Sequence, residues 1–158
     1  MEGKPVRESI SVYSEFALPT DANGLGNVLG GKVMHLVDLA AAIAGMRHAR
    51  RPIVTAAVDS FHFLHPVHIG ELVVLRSSVN RVFRTSMEVG VKVVTENLMT
   101  GFLVHTCSAY LTFVALDSEG NATPVPPVIP ETEDEIRRFK EAGERREYRL
   151  AMRNRLRR

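Results

Sequence analysis

A single carboxylate stands in the most apolar stretch of the chain. Between Val33 and Met46 the only polar side chains are His35 and Asp38. A carboxylate is costly to bury without hydrogen-bonding partners, and burial tunes its proton affinity. Asp38 is therefore a candidate general base or nucleophile, with His35 one turn away as a possible partner. Asp38 could equally be a structural group that binds backbone amides or a basic residue of another subunit.

A glycine-rich segment, GLGNVLGGK (residues 24–32), precedes this stretch. Glycines allow close backbone approach, and a helix N-terminus presents unpaired N–H groups. The backbone N–H groups around Gly30, Gly31 and Lys32 could therefore stabilise an oxyanion. Asp38 would lie about two helical turns further on, roughly 10 Å away by helix rise. The alternative is a turn that merely lets the helix pack.

The other reactive side chains give weaker signals. Asn27 could donate a hydrogen bond to a carbonyl or a water, or it could form a turn or cap. His62, His65 and His68 lie close together but lack accompanying acids or cysteines, so we favour ordinary strand and turn positions over a metal site. Cys107 has no neighbouring base and is predicted to be a core residue.

Arg81, Arg84, Thr85 and Ser86 form a polar turn between two predicted strands. Such a turn could bind a phosphate, although many turns of this kind are only solvated.

The composition indicates one folded domain. The chain has 158 residues, 45% of them hydrophobic, with a formal net charge of +2. The near balance of charge argues against a general nucleic-acid binder. The single cysteine excludes an intramolecular disulfide. Neither a signal peptide nor an apolar run long enough for a membrane span is recognisable, so we expect a cytoplasmic protein.

The hydrophobic periodicity predicts one helix and several strands. Residues 32–48 fit a buried helix that Pro52 prevents from continuing. Residues 8–16, 53–64, 72–83, 86–94 and 101–115 fit strands. Successive strands with short connections favour an antiparallel sheet. The sequence therefore predicts an α+β domain in which the helix lies across the sheet.

The last forty residues have a different character. Residues 121–130, NATPVPPVIP, are rich in proline, and we expect an extended linker that cannot pair in a sheet. Residues 131–158 are charged and predict a C-terminal helical tail. Thr132 and Glu135 have the spacing of a capping box at its start.

The combined motifs resemble a known family. Gly26-Asn27-Val28-Leu29-Gly30-Gly31, followed by Asp38 in LVDLAAAIAG, is similar to the signature of hotdog-fold acyl-CoA thioesterases. The likeness is greatest to the brain-type cytosolic hydrolases and their bacterial single-domain relatives. It continues through VTAAVDSFHF, HPVHIG, Thr85-Ser86-Met87-Glu88 and VPPVIPETEDEIRRF. It covers the chain from about Asp21 to Phe139, in the same order and at consistent spacing.

The resemblance implies a hotdog domain over residues 1–120, with a long antiparallel sheet wrapped around one central helix. It also implies dimers whose sheets join edge to edge, commonly assembled into hexamers, with active sites at the dimer interface. The family acid falls on Asp38. The family asparagine, which in two-domain relatives works with the acid of the partner domain, is assigned to Asn27.

The predicted activity is hydrolysis of fatty acyl-CoA to a free fatty acid and CoA. Asp38 would activate water or attack directly, and the residues around Gly31 would form the oxyanion site. We expect neither a metal nor an organic cofactor, because a thioester carbonyl is already electrophilic and a thiolate is a fair leaving group. CoA itself is part of the substrate. The predicted substrate-binding residues are Gly30, Lys32, Ser60, Arg84, Thr85 and Ser86. An acyl-thioester hydratase or dehydratase, and a non-enzymatic acyl-CoA sensor, remain as alternatives.

Overall fold

One antiparallel sheet wraps a long helix. The computed structural model describes residues 1–157. In chain order its elements are β1 (Lys4–Pro5), β2 (Ser11–Phe16), α1 (Gly30–Ala49), β3 (Ile53–Phe63), β4 (Leu72–Val82), β5 (Ser86–Asn97), β6 (Phe102–Ala115), β7 (Val128–Ile129) and α2 (Glu133–Leu156). The main sheet has the order β2-β4-β5-β6-β3, and every neighbouring pair is antiparallel. The predicted fold, a long antiparallel sheet around a central helix, is confirmed.

Small side chains let α1 lie close to the sheet. Its buried face carries Val33, Leu36, Val37, Ala40, Ala41 and Ala44. At Gly45 an added Cβ would stand only 2.8 Å from Ile53 Cδ1, so a larger residue there would require the Ile53 side chain to move. The helix begins at Gly30, two residues before the predicted start. It ends at Ala49, and the next residue, Arg50, caps it with a left-handed φ of 52°, ahead of Pro52.

The strand predictions hold within a few residues, with one exception at each end of the chain. The first long strand begins at Ser11, because Val6–Glu8 forms a 3-10 turn. The proline-rich linker does pair in a sheet, contrary to the prediction: Val128 and Ile129 pair in parallel with Lys4 and Pro5. Proline lacks an amide donor, but Val128 and Ile129 keep theirs, so a two-residue ladder forms.

The helix α2 covers the face of the sheet opposite to α1. Thr132 caps it through the predicted capping box with Glu135. Arg145 contacts Glu88 of β5 and Arg149 contacts Asp59 of β3, so α2 crosses the sheet toward its β3 edge. The sequence pattern puts Glu88 on the polar side of β5, yet its side chain is buried, because α2 covers that side.

The strand β3 forms one edge of the sheet and is left open in the single chain. It is eleven residues long, and Val54, Val58 and Phe63 along it are each about half exposed (46–49%). A long edge strand with exposed apolar side chains is a template for pairing with another chain. The opposite edge, β2, has six residues. Among residues 1–157, no helix is long and apolar enough to cross a membrane.

Candidate active site

Asp38 lies on the flank of α1 that faces the beginning of the edge strand. Thr55 of β3 donates a hydrogen bond from its hydroxyl to Asp38 Oδ1 at 2.8 Å. Thr55 pairs across the sheet with Phe113, which is buried under α1, so Thr55 points to the α1 face. One carboxylate oxygen is thus held by the sheet, and Asp38 is only partly buried in the single chain. The second oxygen has no hydrogen-bond partner among residues 1–157.

The N-terminus of α1 presents the amides expected of an oxyanion site. The backbone N–H groups of Gly30 and Gly31 donate to no acceptor within residues 1–157, as the first turn of a helix requires. The N–H of Lys32 differs, because it donates to the carbonyl of Leu29 at 3.0 Å. An added Cβ at Gly30 would lie 3.6 Å from the ring of Phe63, so the end of β3 lies beside this helix terminus.

The side chain of Lys32 holds the segments before α1 together. Its Nζ lies 3.3 Å from Glu15 Oε1 and 3.7 Å from Asp21 Oδ1. The Asp21 carbonyl also accepts the N–H of Leu29, at 2.8 Å. Both the amide and the ammonium of Lys32 are therefore already engaged, and its predicted role in substrate binding stays a prediction.

Two asparagines lie in the turn before α1. Asn23 Oδ1 accepts the backbone N–H groups of Leu25 at 2.8 Å and Asn27 at 3.2 Å. This turn fixes the Asn23 amide with its oxygen inward, and its Nδ2 donates to no group within residues 1–157. Asn27 forms a backbone bridge to His68, and its side chain likewise has no partner there. The role predicted for Asn27 is open to either residue on this geometry.

The predicted CoA-binding residues divide between the two faces of the sheet. Ser60 pairs with Tyr110, and Tyr110 lies under the Arg145 guanidinium of α2 at 3.7 Å from its ring centre. Ser60 is therefore on the α2 face, away from Asp38. Ser86 lies on this face too, in a cleft beneath the C-terminal end of α2.

Arg84 and Thr85 form the turn just before β5. The Thr85 carbonyl accepts the N–H of Ala115, and Ala115 pairs with Ile53 at the start of β3. The turn thus lies at the same end of the sheet as Asp38 and Thr55.

The remaining reactive residues do not form a site. His62, His65 and His68 are exposed, and the described part of the chain holds no group of three or more His, Cys, Asp or Glu residues that could bind a metal. Cys107 is fully buried in the core, and burial raises the pKa of its thiol to about 11. A thiol with so high a pKa is a poor nucleophile at neutral pH.

Known proteins are similar to this chain in both sequence and architecture. The Thioesterase superfamily model matches residues 25–102. An uncharacterized acyl-CoA thioester hydrolase of Bacillus subtilis, YkhA, is 47% identical over 130 residues, covering 82% of this chain and 76% of that protein. The chain belongs to the hotdog-fold acyl-CoA thioesterases. The predicted family and the predicted enzyme class, an acyl-CoA thioester hydrolase, are confirmed by these relatives.

Solved acyl-CoA thioesterases superpose on nearly the whole chain. A hexameric acyl-CoA thioesterase without ligand has a TM-score of 0.93 and 39% identity, over 96% of this chain and 97% of that one. An acyl-CoA hydrolase from Staphylococcus aureus, solved with butyryl-CoA, CoA and CoA disulfide, has a TM-score of 0.91 and 34% identity, over 98% and 94%.

Variants of the Staphylococcus aureus enzyme bear on the choice between the asparagines. Alanine variants have been solved for one Asn, one Asp and one Thr, which stand at successive spacings of fifteen and seventeen residues. In this thioesterase Asn23, Asp38 and Thr55 have those same spacings. Neither Asn23 nor Thr55 is among the site residues predicted from the sequence. The local signal for Asn23 was available in the Asp-Ala-Asn-Gly turn, whereas Thr55 had none.

Proposed function

We propose that this thioesterase hydrolyses fatty acyl-CoA at two equivalent sites, each built from two copies of the chain. The observation that carries the proposal is the Asp38 carboxylate, held by Thr55 at 2.8 Å beside an unpaired edge strand. One copy supplies Asp38, and the other supplies the helix N-terminus with Gly30 and Gly31.

The geometry of β3 supports a site shared between copies. Within one chain, Asp38 lies beside the start of β3 at Thr55, whereas the glycines lie beside its end at Phe63. On α1 itself Gly30 and Asp38 are eight residues apart, or about 12 Å by helix rise, which is more than one reacting carbonyl spans. Antiparallel pairing of two β3 edges about a two-fold axis brings the start of each strand against the end of the other. Asp38 of one copy then faces the glycines of its partner.

In the proposed reaction Asp38 removes a proton from water as the water oxygen attacks the thioester carbonyl. The carbonyl oxygen becomes an oxyanion, which accepts hydrogen bonds from the N–H groups of Gly30 and Gly31. Collapse of this intermediate breaks the C–S bond, and the proton passes to the departing CoA thiolate. Direct attack by Asp38 to form an anhydride, followed by hydrolysis, uses the same groups. Neither route requires a metal or an organic cofactor.

We assign the amide that orients the water or the carbonyl to Asn23. Its Oδ1 is occupied by two backbone N–H groups, so its Nδ2 is presented as a donor. The spacing shared with the Staphylococcus aureus variants supports this choice. The original assignment to Asn27 stays a prediction, and the experiment below separates the two.

We propose that Arg84 and Thr85 bind the polar part of CoA, because their turn lies at the Asp38 end of the sheet. We leave Ser60 and Ser86 out of the proposed site, since both lie on the other face. Three such dimers would form a hexamer, an assembly supported by the hexameric thioesterase that superposes on this chain with a TM-score of 0.93.

The test mixes two inactive variants. Asp38→Ala and Asn23→Ala chains, each with a different affinity tag, are expected to be nearly inactive alone in a thiol-release assay with acyl-CoA. Random mixing puts half of the chains in heterodimers, and each heterodimer has one intact site of two. Mixed samples should therefore regain about a quarter of wild-type activity. No recovery would contradict a site shared between copies.

The control mix uses Asn27→Ala with Asp38→Ala. If Asn27→Ala alone keeps near wild-type activity, the amide is that of Asn23. If only Asn27→Ala is inactive and its mixture recovers, the assignment to Asn23 is wrong.

The hydratase alternative has little support in the geometry. His35 is exposed, and it makes no hydrogen bond to Asp38 in the described chain. Hydration of crotonyl-CoA without thiol release would favour the hydratase. Binding of acyl-CoA with neither reaction would favour the sensor.

A further inference from the structure

The C-terminal helix runs toward the open edge of the sheet. Going along α2, Arg145 contacts Glu88 on β5, and one turn later Arg149 contacts Asp59 on the edge strand β3. The helix then continues to Leu156. Seven further residues add about 10 Å of helix at 1.5 Å per residue, roughly the width of two strands. The last two turns of α2 therefore overhang the β3 side of the sheet, above a cleft that also reaches β6 and the start of β5 at Ser86.

The underside of this overhang is incompletely covered in the single chain. A cleft of about 510 Å³ separates it from β3 and the end of β6. Met152 and Leu156 line the cleft, and Leu156 is 84% exposed. Thr112, itself 5% exposed, lines the same cleft, and its buried hydroxyl has no hydrogen-bond partner among residues 1–157. An apolar helix end at the rim of a strand edge indicates contact with a further polypeptide.

The charges on α2 indicate which polypeptide. Glu144 and Glu147 lie in the middle of the helix, while Arg153 and Arg155 lie in its last turns. All four are exposed, and none of them forms an ion pair within residues 1–157. Two copies of this segment placed antiparallel would set the acids of each against the arginines of the other. A parallel arrangement would set arginine against arginine.

We infer that the C-terminal ends of α2 from two copies pack antiparallel across the two-fold axis and clamp the paired β3 strands. This inference rests on the edge pairing in the proposed function. It adds a second contact, in which Met152 and Leu156 cover the partner's edge strand and Glu147 faces Arg153 of the other copy. The occupant of the overhang is thus a second copy of this chain.

The experiment reverses these charges and measures how fast subunits exchange between two differently tagged populations of full-length protein. Arg153→Glu and Glu147→Arg each place like charges together twice per dimer. Each variant should exchange subunits about tenfold faster than wild type, since exposed ion pairs contribute up to about 1 kcal/mol each. The double variant restores both attractions and should exchange within about twofold of wild type.

The matched control is Arg138→Glu, a charge reversal of the same size on an exposed residue in the first half of α2. It should leave the exchange rate unchanged. The inference is overturned if the single variants exchange like wild type, or if the double variant exchanges faster than either single variant.

Two outcomes separate this inference from the proposed function. If wild type is dimeric and the charge-reversal variants exchange subunits at the wild-type rate, the clamp is contradicted but the shared site is not. If wild type is active yet monomeric at all concentrations, both the clamp and the shared site are contradicted.

Discussion

The two faces of the sheet are covered by helices of opposite character. α1 packs through Val, Leu and Ala side chains and the bare backbone of Gly45. Its only carboxylate lies at the flank toward the sheet edge. α2 packs through arginines: Arg145 makes two hydrogen bonds to the buried Glu88, while Arg81 stacks on Phe139 at 4.2 Å. The first face leaves the Asp38 carboxylate available for chemistry, whereas on the second face the carboxylates of Glu88 and Asp59 are paired with arginines of α2. A polar side chain in this protein therefore indicates catalysis only where its hydrogen-bonding partners leave part of it free.

The largest expected effect comes from removing the charge on the α1 face. Asp38→Asn should lower kcat by 10²–10⁴-fold, the usual contribution of a general base, with little change in the unfolding midpoint. Thiol release and urea unfolding measured on the same samples would check this. Wild-type turnover in this variant would remove Asp38 from the mechanism.

Removing a carboxylate from the α2 face should instead lower the stability and leave kcat unchanged. Glu88→Ala removes the acceptor of the Arg145 guanidinium and of Asn80 Nδ2, which donates at 2.9 Å. Breaking a buried ion pair leaves an uncompensated charge and should lower the free energy of unfolding by about 3–5 kcal/mol. Below the unfolding transition kcat should be unchanged. A large loss of kcat in folded protein would mean that the two faces are coupled.

A smaller effect is expected from the group that positions Asp38. Thr55→Val keeps the shape of the side chain but removes the hydrogen bond to the carboxylate. Such a bond to a charged group contributes about 1.5–3 kcal/mol, so kcat should fall by roughly 10- to 150-fold. Thr55→Ser should restore most of the rate. If Val and Ser variants behave alike, the hydroxyl has no role in catalysis.

The smallest effect concerns a buried histidine at the end of α1. Burial lowers the pKa of His48 from its ordinary 6.5, and its Nε2 lies 2.7 Å from the Pro126 carbonyl. Since the unfolded chain takes up the proton more readily, stability should be constant above pH 6.5 and fall as pH drops below it. His48→Gln should flatten this dependence in urea unfolding between pH 7.5 and 5.5. An equal slope in both proteins would assign the effect to other groups.

Much of the fold could be predicted because the period of the apolar residues is local information. The alternation of Met87, Val89, Val91 and Val93 specifies a strand with one buried face, and α1 is specified by its run of small apolar residues. The same alternation places Glu88 on the opposite face correctly, but it does not show that the side chain is buried, because α2 covers that face. The residue Asp38 could be chosen from its isolation among apolar neighbours alone.

The sequence by itself determined which elements form and which carboxylate stands out, since both follow from neighbours along the chain. Only the tertiary structure decided that Thr55 holds Asp38, that Ser60 lies on the opposite face, and that β3 is an open edge. These depend on the order of strands in the sheet and on bulges between Thr55 and Ser60, which set the direction of each side chain. The physical reason is that hydrogen bonding between strands joins residues far apart in the chain, and one shift of register turns a side chain to the other face.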